Sequence, residues 1–484
     1  MSAVLEAVAA HAGALPQRSA LSSAVRSWTY AELLEAVFDT ADHLRAELGT
    51  TLRGRPVAVA LDNGPAGVIL DLALLQLGWT SLPLPAFFTE AQRAYAINDA
   101  GAGVLLSRAE GNEPAVTIAG ERIQLEGLST QATVLPAHTA KITYTSGSTG
   151  SPKGVCLSLQ QLEAVAKSLV DVLGGDYAGR HLPLLPLSIL LENVAGLYTT
   201  LIGGGEYRIL ASEALGLANP FKPDLGLLAA MIEQEEATSL ILVPELLRAL
   251  LMAMGFNGAR FSKLNLVAVG GAKVAPQLLA KAQAYGLPVF EGYGLSECGS
   301  VVALNTPTTH KTGSVGRPLP HLTVTVSPER EIIVGPGPFL GYAGGAPCNG
   351  PVATGDLGWL DEEGFLRIDG RRSSTIINAF GRNIAPEWVE SELTAQPEIR
   401  QALVFGEAKP TLGALIVPIM PDMDQALIAA AIDRANANLP GYAQVKHWRI
   451  RAPFDLAAGE LTGNGRPRRQ VLLQANQSLI DELT

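Results

Sequence analysis

The sequence contains few cysteines, few charged residues and no long uninterrupted apolar run. Its three cysteines, Cys156, Cys298 and Cys348, cannot all pair and lack the spacing of metal ligands. This excludes a disulfide-stapled module and is typical of a reducing compartment. Charged residues make up 17% of the 484 residues and hydrophobic residues 48%, so the chain has the composition of a folded globular protein and not of a disordered one.

Membrane and nucleic-acid partners are also disfavoured. The most apolar stretch, residues 182–202, is interrupted by two prolines and by Glu192 and Asn193, whereas a spanning helix needs about 20 apolar residues. A secretory signal would begin with basic residues, but the first Lys or Arg of this chain is Arg18. The 35 basic and 46 acidic residues give a net charge of −11, which opposes nonspecific binding to nucleic acid or anionic membranes. We therefore expect a cytoplasmic protein without a transmembrane segment or a nucleic-acid partner.

Helix and strand patterns alternate through the first 270 residues. Thr29 and Glu32 have the spacing of a capping box, and an apolar stripe at helical spacing follows as far as Leu48. A strand-like run at 56–61 and a buried-helix pattern at 66–77 come next, and the same rhythm recurs later in the chain. This alternation predicts crossover units in a mostly parallel sheet.

The pattern changes after residue 305. Alternating β-branched residues with frequent glycine and proline predict antiparallel β structure. From about residue 375, helix patterns beginning at Pro386 and spanning 422–439 alternate with strand patterns. This last section predicts a small α+β unit of ordinary domain size.

The most informative segment runs from Tyr144 to Gly154, with the sequence YTSGSTGSPKG. Glycines and small hydroxyl residues let a backbone approach a polyphosphate, while N–H and O–H groups donate to its oxygens and Lys153 adds a cation. The spacing differs from that of a Walker A loop, because no Ser or Thr follows the lysine. The residues expected to contact phosphate are Thr145, Ser146, Gly147, Ser148 and Thr149.

This segment resembles the phosphate loop of the adenylate-forming enzymes, which include acyl-CoA synthetases, nonribosomal-peptide adenylation domains and luciferases. Further motifs of that superfamily follow in the same order along nearly the whole chain. The turn formed by Gly270, Gly271 and Ala272 resembles the one that contacts adenine. Without large side chains, such a turn lets a flat base lie against the backbone.

The hexapeptide GYGLSE, which begins at Gly292, resembles a second nucleotide motif. The resemblance implies that Tyr293 stacks on adenine, that Ser296 binds a phosphate and that Glu297 holds Mg²⁺. A lone glutamate is usually a solvated surface charge, but here the whole hexapeptide matches.

Three later positions match family motifs for the ribose, the nucleotide and the thiol. Asp356, in Thr-Gly-Asp, resembles the carboxylate that accepts hydrogen bonds from the two ribose hydroxyls. Arg371 resembles a nucleotide-contacting arginine, as suits a guanidinium that is always charged. Gly381 resembles the glycine of the loop that borders the thiol tunnel.

Two departures from the family pattern stand out. Where relatives carry an acidic hinge residue, this chain has Arg372 followed by two serines. Near the C-terminus, Arg466 stands where relatives have a lysine that bridges the substrate carboxylate and the α-phosphate. Arginine keeps the charge but is longer and donates in a fixed fork. Three interpretations stay open: Arg466 takes over the lysine's role, Lys153 and Mg²⁺ suffice for a slower reaction, or efficient adenylation is lost. We favour the first.

The predicted acyl pocket includes Gly270 and Ile189. Ile189 stands where relatives that handle acyl chains usually carry histidine, within an apolar segment that suits a pocket wall for an alkyl or aryl acid. A buried helix start would explain the same residues. No aspartate at 240–244 is available to pair with an amino group, which disfavours an amino-acid substrate.

The resemblance implies an α/β and α+β multidomain chain. We expect a large N-terminal domain (residues 1–370) with two αβ subdomains and a small β-barrel, a hinge at 371–374 and a mobile α+β C-terminal domain (375–484). The implied function is ATP- and Mg²⁺-dependent conversion of a fatty or other apolar acid to acyl-AMP with release of pyrophosphate, then thioester formation with coenzyme A. Two alternatives are an acyl-AMP ligase that loads the phosphopantetheine arm of a carrier protein, and a nucleotide- or acyl-binding homologue with weak or no adenylation activity.

Overall fold

The structure is a computed structural model that describes residues 2–50, 52, 54–111, 113–145, 152–174, 179–219, 223–337, 339–456, 458–462 and 467–483. Its α-helices are α1 (Ala3–Ala14), α2 (Tyr30–Leu48), α3 (Pro65–Leu77), α4 (Glu90–Ala100), α5 (Leu159–Leu173), α6 (Thr199–Ile202), α7 (Leu225–Gln234), α8 (Pro244–Asn257), α9 (Pro276–Ala284), α10 (Pro386–Thr394), α11 (Gln425–Asn436), α12 (Arg469–Ala475) and α13 (Gln477–Leu483).

The strands occur throughout the chain. Those before residue 320 are β1 (Ser19–Ser22), β2 (Ser27–Thr29), β3 (Val57–Ala60), β4 (Ser81–Pro83), β5 (Val104–Arg108), β6 (Val116–Ile118), β7 (Glu121–Gly127), β8 (Thr139–Thr145), β9 (Lys153–Ser158), β10 (Arg180–His181), β11 (Glu206–Arg208), β12 (Ser239–Leu242), β13 (Leu266–Val269), β14 (Val289–Tyr293), β15 (Ala303–Leu304) and β16 (Arg317–Pro318). Those after it are β17 (Thr323–Val326), β18 (Glu331–Gly335), β19 (Gly341–Tyr342), β20 (Val352–Leu360), β21 (Leu366–Arg371), β22 (Ile376–Ile377), β23 (Asn383–Ile384), β24 (Ile399–Phe405), β25 (Leu412–Pro418) and β26 (Val445–Ile450).

The chain divides into two compact units. The larger comprises Met1–Gly271, Tyr285–Thr325 and Ile333–Val352, and the smaller comprises Ala272–Ala284, Val326–Ile332 and Ala353–Thr484. The domain and hinge boundaries expected from the sequence, at 370 and 375, stay a prediction.

Two large sheets build the larger unit. One has the order β16-β15-β14-β13-β12-β10-β11-β1-β2 and the other the order β19-β9-β8-β4-β3-β5-β7-β6, as far as the described residues show. The neighbouring strands from β1 to β14 of the first sheet are parallel, as are β5, β3, β4 and β8 of the second. The alternation of helix and strand patterns therefore predicted the parallel crossover organisation correctly.

Local sequence signals explain where several elements begin. The capping box at the start of α2 is present: the Thr29 hydroxyl accepts from the Glu32 N–H, and the Glu32 carboxylate accepts from the Thr29 N–H at 2.7 Å. Helix α3 begins at Pro65 and is buried along most of its length. It ends at Gly78, whose positive φ of 64° suits the left-handed conformation that ends many helices.

A π-helix, Glu192–Tyr198, follows the predicted pocket residue Ile189. Buried polar contacts hold it. Lys141 Nζ donates to Asp71 Oδ1 at 2.6 Å and to Asn193 Oδ1 at 2.5 Å, and the Tyr198 hydroxyl donates to Asp71 Oδ2 at 2.6 Å. Because a buried lysine is stable only when it is paired and hydrogen-bonded, these contacts fix the π-helix against β8 and α3.

The smaller unit contains a three-stranded sheet, β24-β25-β26, and the short pair β22-β23. Its core includes Val389 and Leu393 of α10, Val404 of β24 and Ile428 of α11. This is the α+β section that the C-terminal sequence predicts. Four strands from both units form a separate sheet in the order β17-β18-β20-β21, in the part of the sequence where antiparallel β structure was expected.

Candidate active site

The ends of the glycine- and hydroxyl-rich loop are fixed by an antiparallel strand pair. Strand β8 ends at Thr145 and β9 begins at Lys153, and these two residues lie directly opposite each other. Thr145 is half-buried and Lys153 is exposed. The loop residues Ser146, Gly147, Ser148 and Thr149 lie outside the described residues. A strand thus precedes the loop, and Lys153 stands at the loop's far end.

Tyr144, on the opposite strand of the hairpin, leaves no room for a side chain at the position after Lys153. Gly154 lies opposite Tyr144, and a Cβ on it would come within 2.9 Å of the Tyr144 ring and hydroxyl. The Tyr144 hydroxyl donates to Asp99 Oδ2 of α4 at 2.6 Å. Burial, and then this carboxylate, raise the pKa of Tyr144, so the hydroxyl stays protonated and keeps its bond. The base of the loop is therefore tightly packed on one side.

Glu297 is positioned by a tight turn after β14. The strand ends at Tyr293, and Glu297 lies in a short 3-10 turn, Ser296–Cys298. A Cβ on Gly294 would lie 1.7 Å from the Ser300 carbonyl oxygen, so only glycine fits between the two halves of this turn. The Glu297 carbonyl also accepts from Gln161 Nε2 at 3.1 Å. Glu297, Tyr293 and Ser296 are all half-buried.

Tyr342 joins Lys153 to Glu297. Its hydroxyl donates to Glu297 Oε1 at 3.0 Å, and the Lys153 Nζ lies 5.2 Å from the centroid of its ring. Strand β19 places it there by pairing antiparallel to β9, with Tyr342 opposite Val155. Burial, and then the charge of Glu297, raise the pKa of Tyr342. Lys153 and Glu297, which were predicted from separate motifs, thus both contact Tyr342, which no motif had indicated.

Gly270 and Gly271, predicted to contact adenine, follow the end of β13, which pairs with β14. A Cβ on Gly270, just after β13, would lie 3.1 Å from the carbonyl oxygen of Gly292 in β14. Gly271 has a φ of +85°, which favours glycine. Small residues therefore keep the backbone accessible here, as contact with a flat base would require. Ala272, the next residue, belongs to the smaller unit and is exposed.

Ile189 lies in a turn that precedes the π-helix. Its N–H donates to the Pro186 carbonyl at 2.9 Å, and the residue is half-buried. The neighbouring Leu187 and Leu190 are buried. The apolar surroundings agree with the expectation for this segment, and the acyl-pocket role of Ile189 and Gly270 stays a prediction.

In the smaller unit, the predicted ribose and nucleotide residues bind each other. Asp356 in β20 lies opposite Arg371 in β21, and the Arg371 Nε donates to Asp356 Oδ1 at 2.8 Å. The Asp356 side chain is 8% exposed and that of Arg371 is 50% exposed. The carboxylate is therefore already oriented by a cation, while the arginine keeps an exposed face.

Glu331 is a second residue that the sequence analysis missed. Its Oε1 accepts from the Gly355 N–H at 3.0 Å, and its Oε2 pairs with Arg372 at 2.7 Å. The predicted hinge residues form a 3-10 turn, Arg372–Ser374. A buried carboxylate from β18 thus contacts Arg372 in the predicted hinge segment.

The two remaining predicted positions belong to the smaller unit. Gly381, between β22 and β23, is exposed and has a φ of +70°. Arg466 lies outside the described residues, in a segment whose flanks, Leu461 and Pro467, form an isolated antiparallel bridge. Arg469, the first residue of α12, pairs with Glu390 and donates to the Val404 carbonyl at 2.6 Å.

The site contains one predicted metal ligand. Within the described ranges, no three His, Cys, Asp or Glu side chains come together as a ready-made metal site. Mg²⁺ usually takes one or two carboxylates and fills its remaining positions with water and substrate phosphates. A single half-buried glutamate beside a phosphate loop therefore fits magnesium bound with a nucleotide. None of the described helices combines the length and apolar character that crossing a membrane requires.

Comparisons with known proteins show the family to which the chain is similar. Residues 8–338 match the family model described as AMP-binding enzyme, and residues 373–484 match the AMP-binding enzyme C-terminal domain. An oxalate–CoA ligase from Arabidopsis thaliana is 29% identical over 451 residues, which cover 84% of this chain and 85% of that protein. A long-chain-fatty-acid–CoA ligase from Mycobacterium bovis is 35% identical over 247 residues, 44% of this chain and 41% of that protein.

A solved structure extends the likeness to the fold. The o-succinylbenzoate coenzyme A synthetase of Bacillus subtilis, in complex with ATP and a magnesium ion, is 25% identical and superimposes with a TM-score of 0.76 over 96% of this chain and 98% of that chain. The family models together cover most of the chain, and the relatives are CoA ligases. The chain therefore belongs to the AMP-binding enzyme family, within the adenylate-forming enzymes, and is an acid–thiol ligase of the AMP-forming type.

Proposed function

We propose that this protein transfers AMP from ATP to a carboxylic acid with an apolar alkyl or aryl body, releasing pyrophosphate, and then transfers the acyl group to coenzyme A. The observation that carries the proposal is the meeting of Lys153 and Glu297 around Tyr342. Binding of a magnesium–nucleotide complex requires a cation for the phosphates, here at the end of a phosphate-type loop, and a nearby carboxylate for the metal.

The reaction has two steps. The substrate carboxylate attacks the α-phosphorus of ATP, the bond to the β-phosphate oxygen breaks, and pyrophosphate leaves. The thiol of coenzyme A then attacks the acyl carbonyl and displaces AMP. Lys153 and the loop donors stabilise the negative charge that develops on the phosphates in the first step. Bound at Glu297, Mg²⁺ would supply further charge neutralisation between phosphate oxygens.

The resemblance to the family supplies a role for each remaining predicted residue. Asp356 accepts from the ribose hydroxyls while the hydrogen bond from Arg371 keeps its carboxylate oriented. Tyr293, with the turn at Gly271 and Ala272, receives the adenine. Arg466 takes the role of the family lysine at the α-phosphate, and the loop at Gly381 borders the path of the thiol.

The class of acid is proposed from the pocket segment and the relatives. Ile189 and its leucine neighbours offer an apolar wall, to which an alkyl chain or aryl ring is complementary. The relatives are named for oxalate, a long-chain fatty acid and o-succinylbenzoate, so the family site accepts acids of different size and polarity. An apolar wall disfavours the smallest and most polar of these.

A pyrophosphate-release screen tests the proposal. Purified protein with ATP and Mg²⁺ receives, in turn, octanoate, palmitate, benzoate, o-succinylbenzoate, oxalate and an amino acid. We expect release with an alkyl or aryl acid, and acyl-CoA by mass spectrometry when coenzyme A is added. A thioester formed only on an added phosphopantetheine carrier protein would replace coenzyme A as the acceptor. Tight ATP binding without release on any acid would support the non-catalytic alternative.

A further inference from the structure

Tyr342 contacts both charged groups of the site, and neither contact follows from a sequence motif. It donates to the Glu297 carboxylate through its hydroxyl and faces the Lys153 ammonium with its ring. A separation of 5.2 Å between the Nζ and the ring centroid lies within the roughly 6 Å range of cation–π attraction. One side chain therefore binds an anion and a cation with different atoms.

The tyrosine is itself held in place. Backbone pairing of β19 with β9 fixes its Cα opposite Val155. The ring of buried Phe339 packs edge-on against it, with centroids 5.2 Å apart. The ring is half-buried, and its hydroxyl donates to Glu297 Oε1. A ring fixed on both sides is a suitable support for the charged side chains that it contacts.

The placement affects the availability of both charges. Among the contacts of the described residues, Glu297 and Lys153 form no ion pair with each other. Direct pairing would neutralise the carboxylate that a metal needs and the ammonium that a phosphate needs. The partner of Glu297 is a hydroxyl and not a cation, so the carboxylate is left to bind a metal ion.

We propose that Tyr342 is a positioning residue for the metal–nucleotide complex: its hydroxyl orients Glu297 for Mg²⁺, and its ring keeps Lys153 apart and free for a phosphate. This rests on the proposed function. The hydroxyl contact and the ring contact of Tyr342 should then affect ATP binding differently. Loss of the hydroxyl weakens the metal-dependent part of ATP binding, and loss of the ring also weakens the part that needs no metal.

The test compares ATP binding by calorimetry in excess Mg²⁺ and in EDTA. We expect Tyr342→Phe to reduce the affinity in Mg²⁺ by about tenfold, the ratio that corresponds to 1.4 kcal/mol, with the affinity in EDTA unchanged. Tyr342→Leu should weaken binding in both buffers. Tyr30→Phe is the control, because it removes another buried hydroxyl, which donates to the Gly205 carbonyl, and it should change neither affinity.

Two further results decide the proposal. In a double-mutant cycle, Tyr342→Phe should have no further effect on Mg²⁺-dependent binding once Glu297→Gln is present, because the two residues act together. Equal losses in Mg²⁺ and EDTA, additive effects in the cycle, or no loss at all would overturn the positioning role. ATP binding by the parent protein tests the proposed function separately: without it, the proposed function fails before any variant is compared.

Discussion

Lys153, Tyr342 and Glu297 show, at the scale of single residues, how opposite charges are kept together without neutralising each other. The carboxylate is bonded to a hydroxyl and the ammonium faces a ring. If Glu297 holds Mg²⁺ in the reaction, Glu297→Gln removes the negative charge while keeping the shape and the acceptor for Tyr342. Acid-dependent pyrophosphate release should then fall by more than about tenfold, a barrier increase of at least 1.4 kcal/mol.

A matched substitution distinguishes this effect from a general loss of charge. Glu47→Gln, on the exposed part of α2, removes the same charge outside the candidate site and should leave release unchanged. Parental release rates in Glu297→Gln at every Mg²⁺ concentration would remove Glu297 from the site.

Asp356 allows a second test at this scale. Asp356→Ala should make ATP binding less favourable by about 1.5–3 kcal/mol, because it removes a charged acceptor for the ribose hydroxyls. Its ion pair with the half-exposed Arg371 adds little to the free energy of unfolding, since solvent screens such pairs. Calorimetry with ATP and with 2′,3′-dideoxy-ATP checks this. If the variant loses affinity for both nucleotides equally, the ribose assignment is wrong.

Sequence motifs indicated the candidate site residues that lie within them. They did not indicate residues that contact these positions from distant parts of the chain. Lys153 and Glu297 stand in recognisable segments. Tyr342 reaches Glu297 across 45 residues, and Glu331 reaches Gly355 across 24. Such pairings depend on strand register in the folded sheet, which composition and periodicity do not specify. A glycine-tyrosine pair in a glycine-rich stretch was the only local signal for Tyr342.

At the scale of an element, the β8–β9 hairpin is closely packed where Gly154 faces Tyr144. Gly154→Ala places a methyl group 2.9 Å from the Tyr144 ring and 3.2 Å from the Ala343 Cβ. We expect the free energy of unfolding to fall by about 1–3 kcal/mol, the usual effect of overpacking. Pyrophosphate release should fall as well, because the distorted strand carries Lys153. Thermal and denaturant unfolding measure the first effect.

Gly127→Ala is the matched control. Gly127 ends β7, and an added Cβ there meets no atom within 4 Å. Its effect on unfolding should stay within about 0.5 kcal/mol. If the two alanine variants unfold alike, the packing of Gly154 on Tyr144 is not a constraint on the hairpin.

Regular elements followed from the sequence, and the irregular one did not. The capping box of α2 and the apolar stripe after it predicted a helix as far as Leu48. The π-helix Glu192–Tyr198 has no such signal, because its geometry depends on side chains from distant segments. Lys141 and Asp71, which hold it, lie 52 and 122 residues from Asn193. Long-range buried polar contacts thus decide a local backbone form.

At the scale of the whole molecule, the chain forms two compact units, each built from non-contiguous segments. Residues 272–284 and 326–332 belong to the smaller unit, although in sequence they lie among those of the larger one. Composition changes along the chain indicated an α+β section after residue 375, because that section is continuous. They do not indicate segments that join a unit from a distance, since such segments look like their sequence neighbours.

The two half-reactions should respond differently to one substitution. If Arg466 replaces the family lysine, Arg466→Ala should strongly depress pyrophosphate release while leaving conversion of a supplied acyl-adenylate to acyl-CoA nearly intact, because the second step no longer involves the leaving pyrophosphate. Arg466→Lys should preserve or raise the release rate, since an ammonium restores the family group. Unchanged release in Arg466→Ala would leave the charge stabilisation to Lys153 and Mg²⁺.

The most direct test of adenylation at this site is the exchange of radiolabelled pyrophosphate into ATP, measured without coenzyme A. Exchange requires that ATP and the acid react reversibly to acyl-AMP and pyrophosphate on the enzyme. We expect exchange that depends on Mg²⁺ and on an alkyl or aryl acid, that needs no thiol and that is lost in Glu297→Gln. ATP binding without exchange on any acid, or exchange that continues undiminished in Glu297→Gln, would contradict the account.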